Sequence, residues 1–343
     1  MKIKQYILVF ACAALAVGCQ NEEFEAQRAD GYNEIRFSAN VEKMITRTNY
    51  SPWRQDIHPE SMGVFGYYES ATLFMENVRI DYDNDNSTWS YANITDKRYW
   101  SDFSDKINFD FFAFMPYVEG AKIKKSNNEY TLSVPFTLPS PILPEENSKD
   151  FGLLCHIPQR TEPTDNAISF NMDQTLTGFS FLFTLSDKMS ELRTFHIKTI
   201  NVSGELPSAG TVSRKYTYNN GWTAGDIEWT INSTKNADKT CVYQEENGIY
   251  INKTSQSEAI GTFYVIPSAD FHPTIEVEYD VYDDDRFVRS ATNTIVFNKN
   301  NFKSYIAAAK IGTINTIKIN IVPDHLYILA DDDQNYGILV ETP

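Results

Sequence analysis

Apolar and polar residues alternate with a period of two over most of the chain. Between residues 35 and 41 every second side chain is apolar, and the segments 107–115, 275–281 and 317–321 repeat the pattern. Such alternation is typical of strands with one buried and one solvent-facing side. The pattern predicts an all-β fold.

Turn-forming clusters separate these segments. Asn127-Asn128, Asn219-Asn220-Gly221 and Glu246-Asn247-Gly248 each carry residues that favour turns. No fixed repeat of 20 to 50 residues is visible, which disfavours a solenoid or a propeller. Many short strands joined by such turns favour β-sandwiches over a barrel.

A polar stretch marked by two prolines, residues 158–166, lies between apolar segments. Linkers of this composition often separate domains, and 343 residues are enough for about two. The sequence therefore predicts an N-terminal sandwich at residues 34–160 and a C-terminal sandwich at residues 161–343.

The first 18 residues have the features of an export signal. Lys2 and Lys4 precede an apolar stretch at residues 6–17, and Cys19 follows directly after Gly18. The stretch is shorter than the roughly 20 residues that span a bilayer. It resembles a bacterial lipoprotein signal, in which cleavage leaves the cysteine as a lipidated first residue. The alternative is an ordinary secretory signal in which the cysteine has no role.

The chain has 46 acidic and 30 basic residues, a formal charge of −16. Loss of the signal leaves 28 basic residues, a charge of −18, with an acidic and flexible tether at residues 19–33. A nucleic-acid-binding face needs clustered Lys and Arg, and an anionic membrane attracts basic segments. We expect neither partner, and we interpret the charge as serving solubility at an exposed surface.

Motifs for catalysis and metal binding are absent from the sequence. The five histidines lack H-E-x-x-H spacing, and no G-x-S-x-G or phosphate-loop motif occurs. His196 lies on a predicted strand and is interpreted as a surface or hydrogen-bonded residue. Cys155 and Cys241 have apolar neighbours and are expected to be buried. The prediction is a protein that is not an enzyme, with no catalytic residue, metal or cofactor.

Several segments, taken in order, resemble the fimbrillin family, the pilus subunits and accessory proteins of Bacteroidales. The matching segments are 34–38, 45–48, 63–68, 99–100, 109–116, 175–181, 197–204 and 264–267. They run across nearly the whole mature chain. The acidic residues after Cys19 also resemble the export signals of surface lipoproteins in Bacteroidetes.

The resemblance implies two transthyretin-like Greek-key β-sandwich domains in tandem and assembly by donor-strand exchange. In that process the first strand is displaced and a strand from a neighbouring subunit takes its place. The displaced strand here would carry Ile35, Phe37, Ala39 and Val41. The alternative is that this segment is a permanent edge strand.

The resemblance also implies cleavage by an Arg-specific protease after the first strand. Arg47 lies six residues beyond Val41 in a polar segment and is the candidate processing site. Arg28 and Arg54 compete by residue type alone. If no cleavage occurs, Arg47 is a solvated loop residue.

The implied location is the outer membrane, with the protein lipid-anchored through acylated Cys19, exposed at the cell surface and part of the fimbrium after assembly. Its implied partners are other fimbrial subunits, in a homo- or hetero-polymer, and a host or bacterial surface ligand. Two apolar runs near the C-terminus, 324–330 and 336–340, could serve as a donor strand or pair within their own domain.

A second hypothesis is a glycan-binding surface lipoprotein of a polysaccharide-uptake system. Trp53, Trp89 and Trp222 lie near predicted turns, where an indole ring could stack on a sugar. Aromatic residues of β proteins more often pack in the core.

Overall fold

The computed structural model describes residues 33–41, 45–46, 60–103, 105–144, 152–185, 191–252, 259–268, 272–297, 311–322 and 337–341. Regular structure in these residues is almost entirely strand, with two short 3₁₀ helices at Ile94–Asp96 and Trp100–Phe103. The predicted all-β fold is confirmed. No helix in the described part of the chain has the length and apolar character needed to cross a bilayer.

The strands are numbered in chain order. The first ten are β1 (Phe37–Val41), β2 (Ile45–Thr46), β3 (Ser61–Tyr68), β4 (Thr72–Asp83), β5 (Thr88–Tyr91), β6 (Phe109–Met115), β7 (Lys122–Ser126), β8 (Glu129–Thr137), β9 (Leu143–Pro144) and β10 (Leu153–Cys155). The next ten are β11 (Gln159–Thr161), β12 (Ile168–Gln174), β13 (Thr177–Leu185), β14 (Thr194–Tyr218), β15 (Trp222–Ile251), β16 (Ile260–Val265), β17 (Thr274–Asp283), β18 (Arg286–Val296), β19 (Thr313–Val322) and β20 (Gly337–Glu341).

The described strands form three sheets. The N sheet has the order β1-β12-β10-β6-β3-β4-β5, with β11 also paired to β6. The C sheet has the order β2-β19-β13-β16-β9, with β20 also paired to β19. The third, here named the shared sheet, has the order β18-β17-β14-β8-β7, with β15 also paired to β14.

The long hairpin of β14 and β15 extends through the shared sheet. Its strands have 25 and 30 residues, several times the usual length of about five to six. The predicted turn at residues 219–221 joins them, and β17 flanks residues 194–203 whereas β8 flanks residues 209–217. The predicted turn at residues 246–248 lies inside β15, where the pairing shifts and Gly248 has a φ of 66°. A local glycine signal therefore marks a bulge there rather than a chain reversal.

The buried apolar residues form two large clusters. The first joins the N sheet to one half of the shared sheet, and the second joins the C sheet to the other half. A small cluster around Leu176 and Tyr264 lies where these sheets meet. β14 and β15 contribute residues to both large clusters, so one hairpin is common to the two cores.

Strand pairing does not follow the predicted boundary between residues 160 and 161. β11 spans that boundary and pairs with β6, and β12 lies after it but still in the N sheet. The polar stretch at residues 158–166 is thus partly a strand and partly a loop within one sheet. Residues 161–174 belong with the first core rather than the second.

β6 departs from the predicted alternation, because all seven of its residues are buried. One face packs towards the shared sheet, where Phe112 contacts Tyr130 at a ring separation of 5.1 Å. The other face meets the segment after β5, where Phe109 lies 4.8 Å from the ring of Trp100. By contrast, β8 and β17 alternate largely as expected for strands with one face on the core.

Candidate functional site: the first strand and its groove

β1 forms one edge of the N sheet and pairs in parallel with β12 along its whole length. Ile35, Phe37 and Ala39 point into the first core, with exposed fractions of 0%, 3% and 6%. Arg36, between them, is exposed. The backbone of Val41 is described but its side chain is not. The described part of the segment therefore has one buried apolar face.

Phe37 occupies a pocket that we name the Phe37 pocket, lined by three aromatic rings. Its ring stacks on Phe170 of β12, with centroids 6.0 Å apart and an interplanar angle of 17°. It meets Phe111 of β6 edge-on at 5.4 Å and Tyr91 of β5 edge-on at 6.1 Å. Edge-on and stacked arrangements of this kind are favourable beyond the apolar area that they bury.

The segment from Tyr91 to Trp100, here named the clamp, holds the residues just before β1. The Ile35 N–H donates to the carbonyl of Arg98 at 2.9 Å, and the Tyr91 hydroxyl donates to the carbonyl of Ile35 at 2.8 Å. The Trp100 N–H donates to the carbonyl of Asn33 at 2.9 Å. The chain before β1 is therefore bound to the clamp while β1 itself is bound to β12.

An ion pair adds to the clamp. Lys97 Nζ lies 2.8 Å from Glu34 Oε2, and both side chains are about one-third exposed. The hydrogen bond to Glu34 raises the pKa of Lys97. Burial, with a smaller effect of the nearby Glu34 charge, raises the pKa of Tyr91, so its hydroxyl keeps the proton that it donates to Ile35. The ion pair itself is worth no more than about 1 kcal/mol at such exposure.

The loop before β12 contacts the same segment from the other side. The Ile168 N–H donates to the carbonyl of Arg36 at 2.7 Å, and the Arg36 guanidinium donates to the carbonyl of Asp165. The indole N–H of Trp100 donates to the carbonyl of Thr164 at 2.7 Å, which ties this loop to the clamp.

β2 carries the N-terminal segment onto the C sheet, where it pairs in parallel with the first two residues of β19. The segment thus contacts the N sheet through β1 and the C sheet through β2. Residues 42–44, between the two strands, lie outside the described residues. Arg47 follows β2 directly but is also outside them, as are Arg28, Arg54 and Cys19.

The second C-terminal run lies in the C sheet. β20 pairs with β19 in antiparallel fashion, from Gly337 opposite Val322 to Glu341 opposite Lys318. β13 occupies the other edge of β19, so β20 and β2 lie on the same edge at different positions. The run at residues 324–330 is outside the described residues.

His196 and the two cysteines show no catalytic arrangement in the described part of the chain. The ring of His196 lies 3.8 Å from Tyr250 and 4.1 Å from Tyr282, and burial lowers its pKa. Cys155 is buried as predicted, but Cys241, on β15, is exposed. Among the described residues, no group of three or more His, Cys, Asp or Glu side chains is placed to hold a metal ion.

The tryptophans proposed for glycan stacking have other contacts. The indole N–H of Trp222 donates to Asp110 at 3.1 Å, and its ring packs on Tyr130 at 5.2 Å. Trp89 is half-buried beside Tyr82, with ring centroids 5.0 Å apart. Trp53 lies outside the described residues. Trp222, at least, is part of the core packing.

Sequence reasoning identified β1 but missed the clamp. Tyr99 and Trp100 belong to a segment of the family resemblance, and nothing in their spacing predicts a contact with Asn33. The bonds between the clamp and this segment join residues more than 50 positions apart.

A model of the fimbrillin-like family matches residues 46–323, well over half of the chain. The chain belongs to the fimbrillin-like family. This membership agrees with the expectation of an adhesion or structural protein of the cell surface that is not an enzyme. No curated protein sequence matches this fimbrillin-like chain.

Solved structures similar to this fimbrillin-like protein come from related bacteria. A protein assigned to cell adhesion from Bacteroides ovatus is 10% identical, with 90% of this chain and 96% of that chain covered and a TM-score of 0.43. Another from Bacteroides uniformis is 16% identical, with 91% and 98% covered and a TM-score of 0.42. A fimbrial assembly protein from Parabacteroides distasonis is 8% identical, with 90% and 100% covered and a TM-score of 0.34.

Proposed function

We propose that this protein is a fimbrial subunit or accessory adhesin that assembles with other fimbrial subunits by donor-strand exchange. The observation that carries the proposal is the position of the N-terminal segment. β1 lies at the edge of the N sheet and β2 at the edge of the C sheet, and Arg47 comes directly after β2. A cut after Arg47 would separate both edge strands from the rest of the chain.

Burial of apolar side chains would supply binding free energy to such an exchange. Burial of an apolar side chain the size of Ile35 or Phe37 stabilises by roughly 1.5–3 kcal/mol. Main-chain hydrogen bonds to β12 add to this, as in other cases where a strand joins a sheet edge. An incoming strand that buries similar side chains and forms the same main-chain hydrogen bonds would hold two subunits together without a covalent bond.

The proposal is tested by treating the purified mature chain with an Arg-specific protease. We expect a fragment that ends at Arg47. When a second fimbrial subunit from the same cells is then added, we expect complexes whose amount rises with protein concentration in light scattering. Arg47→Ala should prevent both, whereas the control Arg54→Ala should behave as the unsubstituted chain does. A chain that is cut at Arg47, loses its first strand and binds no added subunit at any concentration would contradict assembly by strand exchange.

We also propose that acylated Cys19 anchors the exported protein in the outer membrane, with the body exposed at the cell surface. Support comes from the apolar stretch before Cys19 and the acidic residues after it. Cys19→Ala should move the protein out of the membrane fraction, and Cys12→Ala, within the signal, should leave fractionation unchanged. Equal fractionation of the two variants would argue against the anchor.

A further inference from the structure

We name the surface covered by Ile35, Phe37 and Ala39 the β1 groove, and the Phe37 pocket is its most specific part. Phe170, Phe111 and Tyr91 surround the ring of Phe37, one by stacking and two edge-on. An aliphatic side chain in this place would lose the ring–ring geometry and leave part of the space unfilled. The pocket therefore discriminates between strands by the residue placed in it.

The two positions that flank Phe37 fix the register of any strand that binds in this groove. Ile35 and Ala39 lie two residues to either side of Phe37 and are buried on the same face. Since side chains alternate along a strand, a replacement strand must present residues at the same spacing. Polar residues at these two flanking positions would be buried without partners.

We propose that the β1 groove selects a partner strand with an aromatic residue in the Phe37 pocket and an apolar residue two positions to either side. The inference rests on the proposed strand exchange and specifies its partner. The selected partner is a strand of a different fimbrial subunit, rather than the C-terminal tail of a second copy of this chain.

The tail of this chain does not have the required pattern. Its two aromatic residues are Tyr327 and Tyr336, and two positions before them stand His325 and Gln334. Neither tyrosine therefore has apolar residues on both sides at the required spacing. If Leu326 entered the Phe37 pocket in place of Tyr327, the pocket would hold an aliphatic side chain.

The test uses the full chain with a unique site for a sequence-specific protease inserted between Arg47 and Thr48. After cleavage, binding of fluorescent peptides is measured by anisotropy. The reference peptide is residues 33–43, and variants carry Phe37→Leu, Phe37→Ala or, as a matched control, Ser38→Ala. Two further peptides cover residues 324–331 and 335–342.

We expect Phe37→Ala to weaken binding about 100-fold and Phe37→Leu about tenfold, because each leaves space in a packed pocket. Ser38→Ala should change binding less than about threefold, since Ser38 is only half-buried. Both tail peptides should bind at least about tenfold more weakly than the reference peptide. Equal binding of the Phe37→Ala peptide, or tail peptides as tight as the reference, would overturn the proposal.

If the cut strand stays bound, its rate of release is measured instead. Chains carrying Phe37→Leu should release the fragment about tenfold faster than the unsubstituted chain, and an equal rate would overturn the proposal. Phe170→Leu in the body of the protein keeps the core apolar. It should reduce the difference in release rate between fragments with Phe and with Leu at position 37. In this test the cut is made at the inserted site and does not depend on Arg47. A chain that is not processed at Arg47 would therefore contradict only the proposed function.

Discussion

At the scale of single residues, Asp110 shows how far a buried polar group can depart from its sequence pattern. The alternation of β6 predicts a solvent-facing side chain, yet Asp110 is fully buried. Arg160 binds both of its carboxylate oxygens at 2.6 Å, and Ser70 and Trp222 donate to it at 2.9 Å and 3.1 Å. The Asp110–Arg160 ion pair connects β6 to β11, and the hydrogen bond from Trp222 connects both to the tip of the β14–β15 hairpin.

Removal of this buried charge should destabilise the protein. Asp110→Asn leaves the guanidinium of Arg160 without its counter-charge. We expect this to lower the free energy of unfolding by about 3 kcal/mol. This value is at the lower end of the range for a broken buried ion pair, because Arg160 is partly exposed. The measurement is the denaturant midpoint in urea. Asp81→Asn, which breaks the exposed pair with Arg79, is the control and should cost less than about 1 kcal/mol. Similar losses for both variants would contradict this account.

At the scale of elements, β1 is held by contacts that its own sequence does not contain. Its period of two predicted the buried face of Ile35, Phe37 and Ala39 from local information alone. The clamp and the parallel pairing with β12 depend on residues far away in the chain. No local pattern encodes which distant segment will supply a hydrogen-bond donor, so this half of the site could not be predicted.

The clamp should control how often β1 opens. Tyr91→Phe removes the donor to the buried carbonyl of Ile35 and should cost about 1–3 kcal/mol locally. We expect faster amide hydrogen exchange at residues 35–41, measured by mass spectrometry. Tyr250→Phe, at an exposed tyrosine, is the control and should leave exchange in this segment unchanged. Unaltered exchange in the Tyr91→Phe protein would show that the clamp does not hold the strand.

At the scale of the whole molecule, the β14–β15 hairpin joins two cores that the sequence presented as separate sandwiches. Val202 lies in the second cluster and Val212 in the first, ten positions apart on the same strand, and both are fully buried. The two halves of β14 are continuous along one strand, and both pair with β15. The division into two tandem domains remains a prediction, whereas the shared hairpin is observed.

The shared hairpin predicts that the two cores unfold together. Val202→Ala and Val212→Ala should each lower the unfolding free energy by roughly 1–3 kcal/mol in a single transition. Tryptophan fluorescence reports mainly on the first core, since Trp100 is in it and Trp89 and Trp222 pack against it. The Val202→Ala variant should therefore shift the fluorescence and circular dichroism midpoints equally. A shift in circular dichroism alone would indicate independent cores.

Four features follow from the amino-acid sequence: the all-β class, the alternating first strand, the turn at residues 219–221 and the family resemblance. Each depends on short-range periodicity or on the order of segments along the chain. Four other features emerge only in the folded chain: the burial of Asp110, the clamp around Ile35, the Phe37 pocket and the hairpin common to both cores. These features depend on which distant segments become neighbours. Pairing between remote strands is set by the sum of many contacts, and no short stretch of sequence carries it.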